Sequence, residues 1–192
     1  KKMNVIYAGA MSSVQKPEVL LKAYAQLRKT DAQWSKRLTV DFFGPESPYF
    51  KMAIRKWLGE GCSYGGFLPQ EEIARRVLQA DIGFFSLSDD TYAYATPTKL
   101  FDYIGAGIPI VAALPHGASR QIIEEYQIGL VVNPDDIVNL ANCLKTMVED
   151  EGVRKTCSAN MEPLRKKFST DRQIEKWSGM LSAMYVAENP RK

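Results

Sequence analysis

In this sequence of 192 residues, the side chains best suited to chemistry gather in one stretch, Thr96-Pro97-Thr98-Lys99-Leu100-Phe101-Asp102. A threonine, a proline and then apolar residues at helical spacing (Leu100, Phe101, Ile104) predict a helix beginning here. Thr96 suits the N-cap, and Pro97 suits the first helical position, where a missing N–H costs nothing. The backbone N–H groups of Thr98, Lys99 and Leu100 would then lack intrahelical acceptors. Together with the helix dipole and the Lys99 side chain they suit an anionic group such as a phosphate. One turn on, Asp102 offers a carboxylate to the vicinal hydroxyls of a sugar. An ordinary N-capped helix in a βαβ unit explains the same pattern without a ligand.

The other reactive side chains are scattered. Asp89 and Asp90 invite a general-base reading, but paired aspartates in a loop also serve as solubilising turn formers. Tyr92 and Tyr94 either stack on a sugar face or close their loop over the sheet. The single histidine, His116, stands in a Pro-His-Gly turn and cannot build a two-histidine mechanism or a conventional metal site. Cys62, Cys143 and Cys157 are odd in number and lack metal spacing, which fits a reduced, cytoplasmic setting and no metal. The net charge of +3 comes from interspersed basic and acidic residues, so nucleic acid is not an expected partner. No apolar run approaches the length of a membrane span.

A regular alternation of strands and helices must position these residues. Strands are predicted at Asn4–Ala8, Leu38–Gly44, Cys62–Tyr64, Asp81–Leu87, Pro109–Ala112 and Gly129–Val132, each followed by a helix. The intervening helices are expected from Pro17 to about Thr30, Tyr49–Leu58, Pro69–Ala80, Thr98 to Gly105 or Gly107, around Ile122-Ile123, and after Asp135 or Asp136. A basic helix-turn then runs through Lys167. A last helix from Ser169–Asp171 carries Ile174, Trp177, Leu181, Met184 and Tyr185 on one face. The near-continuous apolar run at Ile82–Leu87 suits a parallel sheet covered on both faces. The predicted fold is therefore a single α/β domain over residues 1–192, with a Rossmann-like, doubly wound parallel sheet of about six strands and helices on both faces. Ligands of such sheets bind beyond the carboxyl ends of the strands. The loops Gly9–Lys16, Gly65–Leu68 and Ser88–Lys99 all follow strands and share that edge. The first loop has one glycine, so it is neither a GxGxxG fingerprint nor a P-loop.

The stretch PTKLFDYIGAGIPIVA resembles the donor-site segment of GT-B glycosyltransferases, above all the large retaining family 4 (glycosyl transferases group 1). The resemblance covers nearly the whole chain and identifies it with the C-terminal, donor-binding half of a GT-B fold. It implies a nucleotide-sugar donor, UDP- or GDP-linked, with retention, no metal and no cofactor. It places the donor diphosphate at Gly9, Lys16, Thr98, Lys99 and Leu100, and the ribose at Asp102. Gly66, Phe67 and Leu68 would hold the nucleobase, and Tyr94, Thr96 and Gly117 would lie on the donor-sugar side. No catalytic residue is assigned. The family commonly carries an arginine just after the first-loop glycine, where this chain has Ala10. It often carries a glutamate eight residues before the ribose acid, where this chain has Tyr94. Lys16 can equally be a solvated lysine before a helix, and Phe67 plain core.

The implied partners are the nucleotide-sugar donor and an N-terminal acceptor domain of the same enzyme, which would also provide any peripheral membrane contact. The last helix would either dock on this domain or present its apolar face to the other half. A degenerate, non-catalytic module binding a glycan, a nucleotide or a partner protein is the alternative.

Overall fold

The computed structural model describes residues 2–188 apart from positions 46, 56 and 60. Its elements are β1 (Met3–Ala8), α1 (Glu18–Thr30), α2 (Trp34–Arg37), β2 (Leu38–Phe43), α3 (Pro48–Arg55), β3 (Cys62–Tyr64), α4 (Gln70–Gln79), β4 (Ile82–Ser86), α5 (Thr98–Ala106), β5 (Ile110–Ala113), α6 (Ala118–Glu125), β6 (Gly129–Val132), α7 (Ile137–Glu149), α8 (Glu151–Lys167) and α9 (Thr170–Glu188). The six strands form one sheet in the order β3-β2-β1-β4-β5-β6, and every pairing is parallel. This is the doubly wound arrangement that the alternation predicts.

Side chains alternate across the strands, so each strand feeds two cores. Val5 and Tyr7 of β1 join Leu20, Tyr24, Phe42 and Phe84 under α1, α3 and α7. Ile6 joins Phe85, Leu100, Tyr103, Ile110 and Met161 under α4, α5 and α8. All five residues of β4 are buried, as a central parallel strand requires.

Two elements depart from the sequence reading. Trp34–Arg37 forms a short helix that the pattern did not signal, held by the buried Trp34 ring with the Arg37 guanidinium 4.3 Å from its centre. The stretch expected as a polar helix-turn is a 17-residue helix, α8. Asp150 caps it by accepting from the Val153 N–H at 3.0 Å, and Cys157, Met161 and Leu164 form a narrow inward stripe. The charged majority around that stripe hid the helical period. The predicted helix after Pro48 ends at Arg55, and position 56 of its expected extension lies outside the described residues.

α9 stands away from the rest. Ile174, Trp177, Leu181, Met184 and Tyr185 are all exposed, so the helix does not dock its apolar face on this domain. Its root is fixed by Phe168, whose ring lies 5.3 Å from that of Phe101 on α5. No helix among the described residues is long and apolar enough to cross a membrane.

Candidate functional site

In the strand order, β1 and β4 are neighbours whose connections leave in opposite directions, which opens a crevice beyond their carboxyl ends. Their pairing is brief: Val5 faces Ile82 and Ile6 faces Gly83. Tyr103 fills the gap beyond. Its hydroxyl contacts the carbonyls of Ile6 and Phe84, at 3.2 and 3.0 Å, and accepts from the Ala8 N–H at 3.4 Å. Gly83 makes room for the ring, since a Cβ there would lie 2.5 Å from it. Tyr103 follows Lys99 by one helical turn, so the same clamp sets the start of α5 against the crevice.

The start of α5 differs in detail from the expectation. Pro97, extended at ψ 143°, is the N-cap, and neither it nor Thr96 supplies a side-chain cap. Helical residues therefore begin at Thr98. The Leu100 N–H, expected as a third free donor, is taken by the Pro97 carbonyl at 3.0 Å, and the Leu100 side chain is fully buried. That leaves the N–H groups of Thr98 and Lys99, for which no acceptor is found among the described residues. At the other end Gly107, at φ 72°, closes the helix: its N–H bonds to Ile104 O and the Ile108 N–H to Tyr103 O.

Lys99 is the unusual residue. It is 5% exposed, its ammonium lies 5.0 Å from the centre of the Tyr7 ring, and a Cβ on Gly9 would sit 2.4 Å from Nζ. Gly9 is thus required for this close approach as well as by its φ of 139°. No protein acceptor for Nζ is found among the described residues, and Nζ itself is not fully closed off from solvent. Burial depresses the ammonium to about 8, against a smaller opposing pull from Asp102. Asp102 itself is exposed. Partial desolvation pushes its carboxyl above the usual range, and Lys99 draws it back. An apolar groove of about 420 Å³ between α4 and α5 runs up to it, lined by Ile73, Val77 and Phe101 among others.

From the crevice a floor of backbone leads toward β3. The Gly9 N–H bonds to Phe43 O, the Gly44 N–H to Gly66 O and the Gly65 N–H to Phe42 O, all between 2.8 and 2.9 Å. Phe67 stands on this floor 76% exposed, which removes the plain-core reading, and Leu68 packs against the second core.

On the other wall the loop after β4 turns through a 3-10 helix at Asp90–Tyr92. Asp89 caps it, accepting from the Thr91 N–H at 2.9 Å and from Ser88 Oγ at 2.8 Å. Those bonds hold its carboxyl below the usual range, which suits a turn residue better than a base. Tyr92 packs on the core, whereas Tyr94 is 92% exposed. Thr96 is also exposed. Gly117 lies close against this loop: a Cβ there would meet the Ala93 carbonyl at 1.9 Å. The Ala118 N–H and Ser119 Oγ hold the loop through Ala93 O and Ala95 O, at 2.8 and 2.7 Å.

Lys16 does not point at α5. Its ammonium donates to Asp135 Oδ2 at 2.8 Å, in the turn after β6. The structure therefore brings Gly9, Thr98 and Lys99 together, with Asp102 one turn away. Lys16 stands apart at the mouth. Tyr103 was not singled out from the sequence, and Asp135 only as an alternative helix cap, a place that Asp136 takes by accepting from the Asn139 N–H at 3.2 Å. The inward position of Tyr103, four residues after Lys99, was a usable signal; Asp135, hidden in an Asn-Pro-Asp-Asp turn, gave none. No group of three or more histidine, cysteine or acidic residues able to hold a metal exists among the described residues.

Known proteins share this architecture. The C-terminal domain of a glycosyl transferase group 1 protein from Francisella tularensis superposes with a TM-score of 0.70 at 18% identity, covering 88% of this chain and 86% of that one. Anabaena HepE, solved in complex with UDP and glucose, superposes with a TM-score of 0.76 at 17% identity, over 94% of this chain and 48% of that one. In sequence, a D-inositol 3-phosphate glycosyltransferase from a Nocardioides species is 25% identical over 177 residues, covering 86% of this chain and 38% of the relative. The chain thus spans well under half of that relative's length. The family described as glycosyl transferases group 1 matches residues 1–163, and the chain belongs to it.

Proposed function

We propose that this chain is the donor-binding half of a retaining, metal-independent glycosyltransferase that takes a UDP- or GDP-linked sugar. The observation that carries the reading is Lys99, a cation buried against Gly9 with no acceptor among the described residues, at the start of a helix with two free N–H groups. Desolvating an ammonium that has only the pull of Asp102 and the face of Tyr7 against it is costly, and an anion arriving in the crevice would supply a direct partner. In the reaction, the bond between the sugar's anomeric carbon and the diphosphate oxygen breaks while an acceptor hydroxyl oxygen bonds to that carbon and gives its proton to the departing diphosphate. Negative charge grows on the departing diphosphate, where Lys99 and the N–H groups of Thr98 and Lys99 would stabilise it. Asp102 would accept from the ribose hydroxyls, and the glycine floor would carry the base toward Phe67. The matched relatives are more than twice as long, which supports an acceptor domain outside this sequence and a two-domain enzyme whose reaction cleft forms only when both halves meet.

Calorimetry with UDP and GDP tests the reading. Either diphosphate should bind, and Asp102→Ala should weaken it by about 1–3 kcal/mol, the scale of a charged hydrogen bond. Unchanged affinity in the variant would remove Asp102 from the ribose role.

A second reading, a donor-like module without transferase activity, is favoured by exposed Ala10 and Tyr94 at positions where the resembled family carries a cation and an acid. Sugar transfer by the full-length protein separates the two.

A further inference from the structure

The mouth of the crevice holds a second cation, Lys16, and it is already engaged. Lys16 and Asp135 lie 119 residues apart in sequence, on the β1–α1 loop and the β6–α7 turn, and meet at 2.8 Å. Both adopt left-handed backbone, φ 35° and 61°, where glycine would sit at less cost. Two such positions keep charged side chains of opposite sign, and those side chains find each other. The loop carrying Lys16 is itself pinned: the Ser88 N–H bonds to Val14 O at 2.8 Å, and Ser86 Oγ donates to Gln15 O and contacts Lys16 O. The Lys16 side chain is therefore the part of the loop free to move. Contact with Asp135, with weaker help from Glu18 and Asp89, holds its ammonium firmly protonated.

A cation held this way offers little to a weakly charged ligand, because its field is largely cancelled by the carboxylate. The pair is nonetheless water-accessible, with 30% of one side chain and 54% of the other exposed, so separating it costs little. A ligand with two or more negative charges can displace the carboxylate; a neutral one has nothing to gain.

We propose that Asp135 is a positioning residue that acts through Lys16, parking the ammonium while the crevice is empty and yielding it to a nucleoside diphosphate, so that the crevice sorts ligands by phosphate charge. The inference rests on the donor-site reading above. Asp135→Asn keeps a residue that tolerates left-handed backbone and removes only the charge. Calorimetry of this variant should show UDP binding tightened by about three- to tenfold, UMP by less, and uridine unchanged. Adding Lys16→Met should cancel the gain. Weaker or unchanged UDP binding in Asp135→Asn, or an equal change for uridine, overturns the proposal. If the variant does not fold, the wild-type chain decides. With its aspartate carboxyls labelled with 13C, the Asp135 resonance should shift on saturation with UDP, and a stationary resonance overturns the exchange. Failure of wild type to bind any diphosphate overturns the donor-site reading as well. UDP binding that is lost in Lys99→Met but indifferent to Lys16 and Asp135 overturns this inference alone.

Discussion

The two ends of the Gly9–Lys16 loop hold lysines in opposite conditions. Lys99, beside Gly9, is 5% exposed, has no acceptor among the described residues, and is depressed to about 8. Lys16, at the far end, is half-buried, paired with Asp135 and shifted upward. A largely buried cation that makes no hydrogen bond within the protein is a standing cost to the fold, and that cost becomes affinity when an anion arrives. A water-accessible, paired cation costs little and contributes little. Burial and existing partners, more than mere presence at the sheet edge, decide what each lysine is worth.

Lys99→Met breaks the comparison most severely. It should weaken UDP or GDP by about 2–4 kcal/mol in calorimetry, the loss of a desolvated charge contact. The same variant should stabilise the unliganded chain by about 1–3 kcal/mol in urea titration, since a depression to about 8 marks the charged form as disfavoured by folding. Lower stability in Lys99→Met would mean that the ammonium is satisfied in the fold. A pH series sharpens the contrast next. Below about 8 Lys99 is charged and diphosphate affinity should be flat; above it, the free protein loses the proton that binding needs, and affinity should fall toward tenfold per unit. The ligand's own last phosphate ionisation, near 6, is complete by then. The sign for stability is the reverse: between about 8 and the ordinary 10.5 the unfolded chain binds more protons here, so this group's contribution rises with pH. Flat affinity from pH 7 to 9.5 would contradict the role of Lys99. The smallest effect belongs to Lys16→Met, which should weaken UDP by no more than about 1 kcal/mol, because in wild type much of what Lys16 gains from the ligand is offset by giving up its pair with Asp135. A larger loss there than at Lys99 would invert the comparison.

Much of this was legible in the sequence, and the reason is periodicity. Six apolar runs separated by helical stripes specify a parallel, doubly wound sheet, and the strands lie where those runs are. Thr98, Lys99 and Asp102 could be gathered from their spacing at a helix start, and Gly9 joined them through the family resemblance. What stayed hidden depends on distance in space. Nothing local tells that Leu100's N–H turns back to Pro97, that Lys16 reaches a residue 119 positions away, or that Lys99 is the buried lysine of the two. The full length of α8, read only as a helix-turn, was hidden for a related reason: three inward residues in seventeen give a stripe too thin to outweigh its charged surface.

The wedge of Tyr103 against Gly83 has a consequence for anyone redesigning this chain. A phenol ring seated where a Cβ would stand 2.5 Å away makes positions 83 and 103 a single choice. A larger residue at 83 demands a smaller one at 103, and the smaller one leaves the Ala8 amide and two strand carbonyls to find new partners. Libraries that vary the crevice for new donors should therefore hold this pair fixed and draw their diversity from Tyr94, Thr96 and Phe67, whose side chains are exposed.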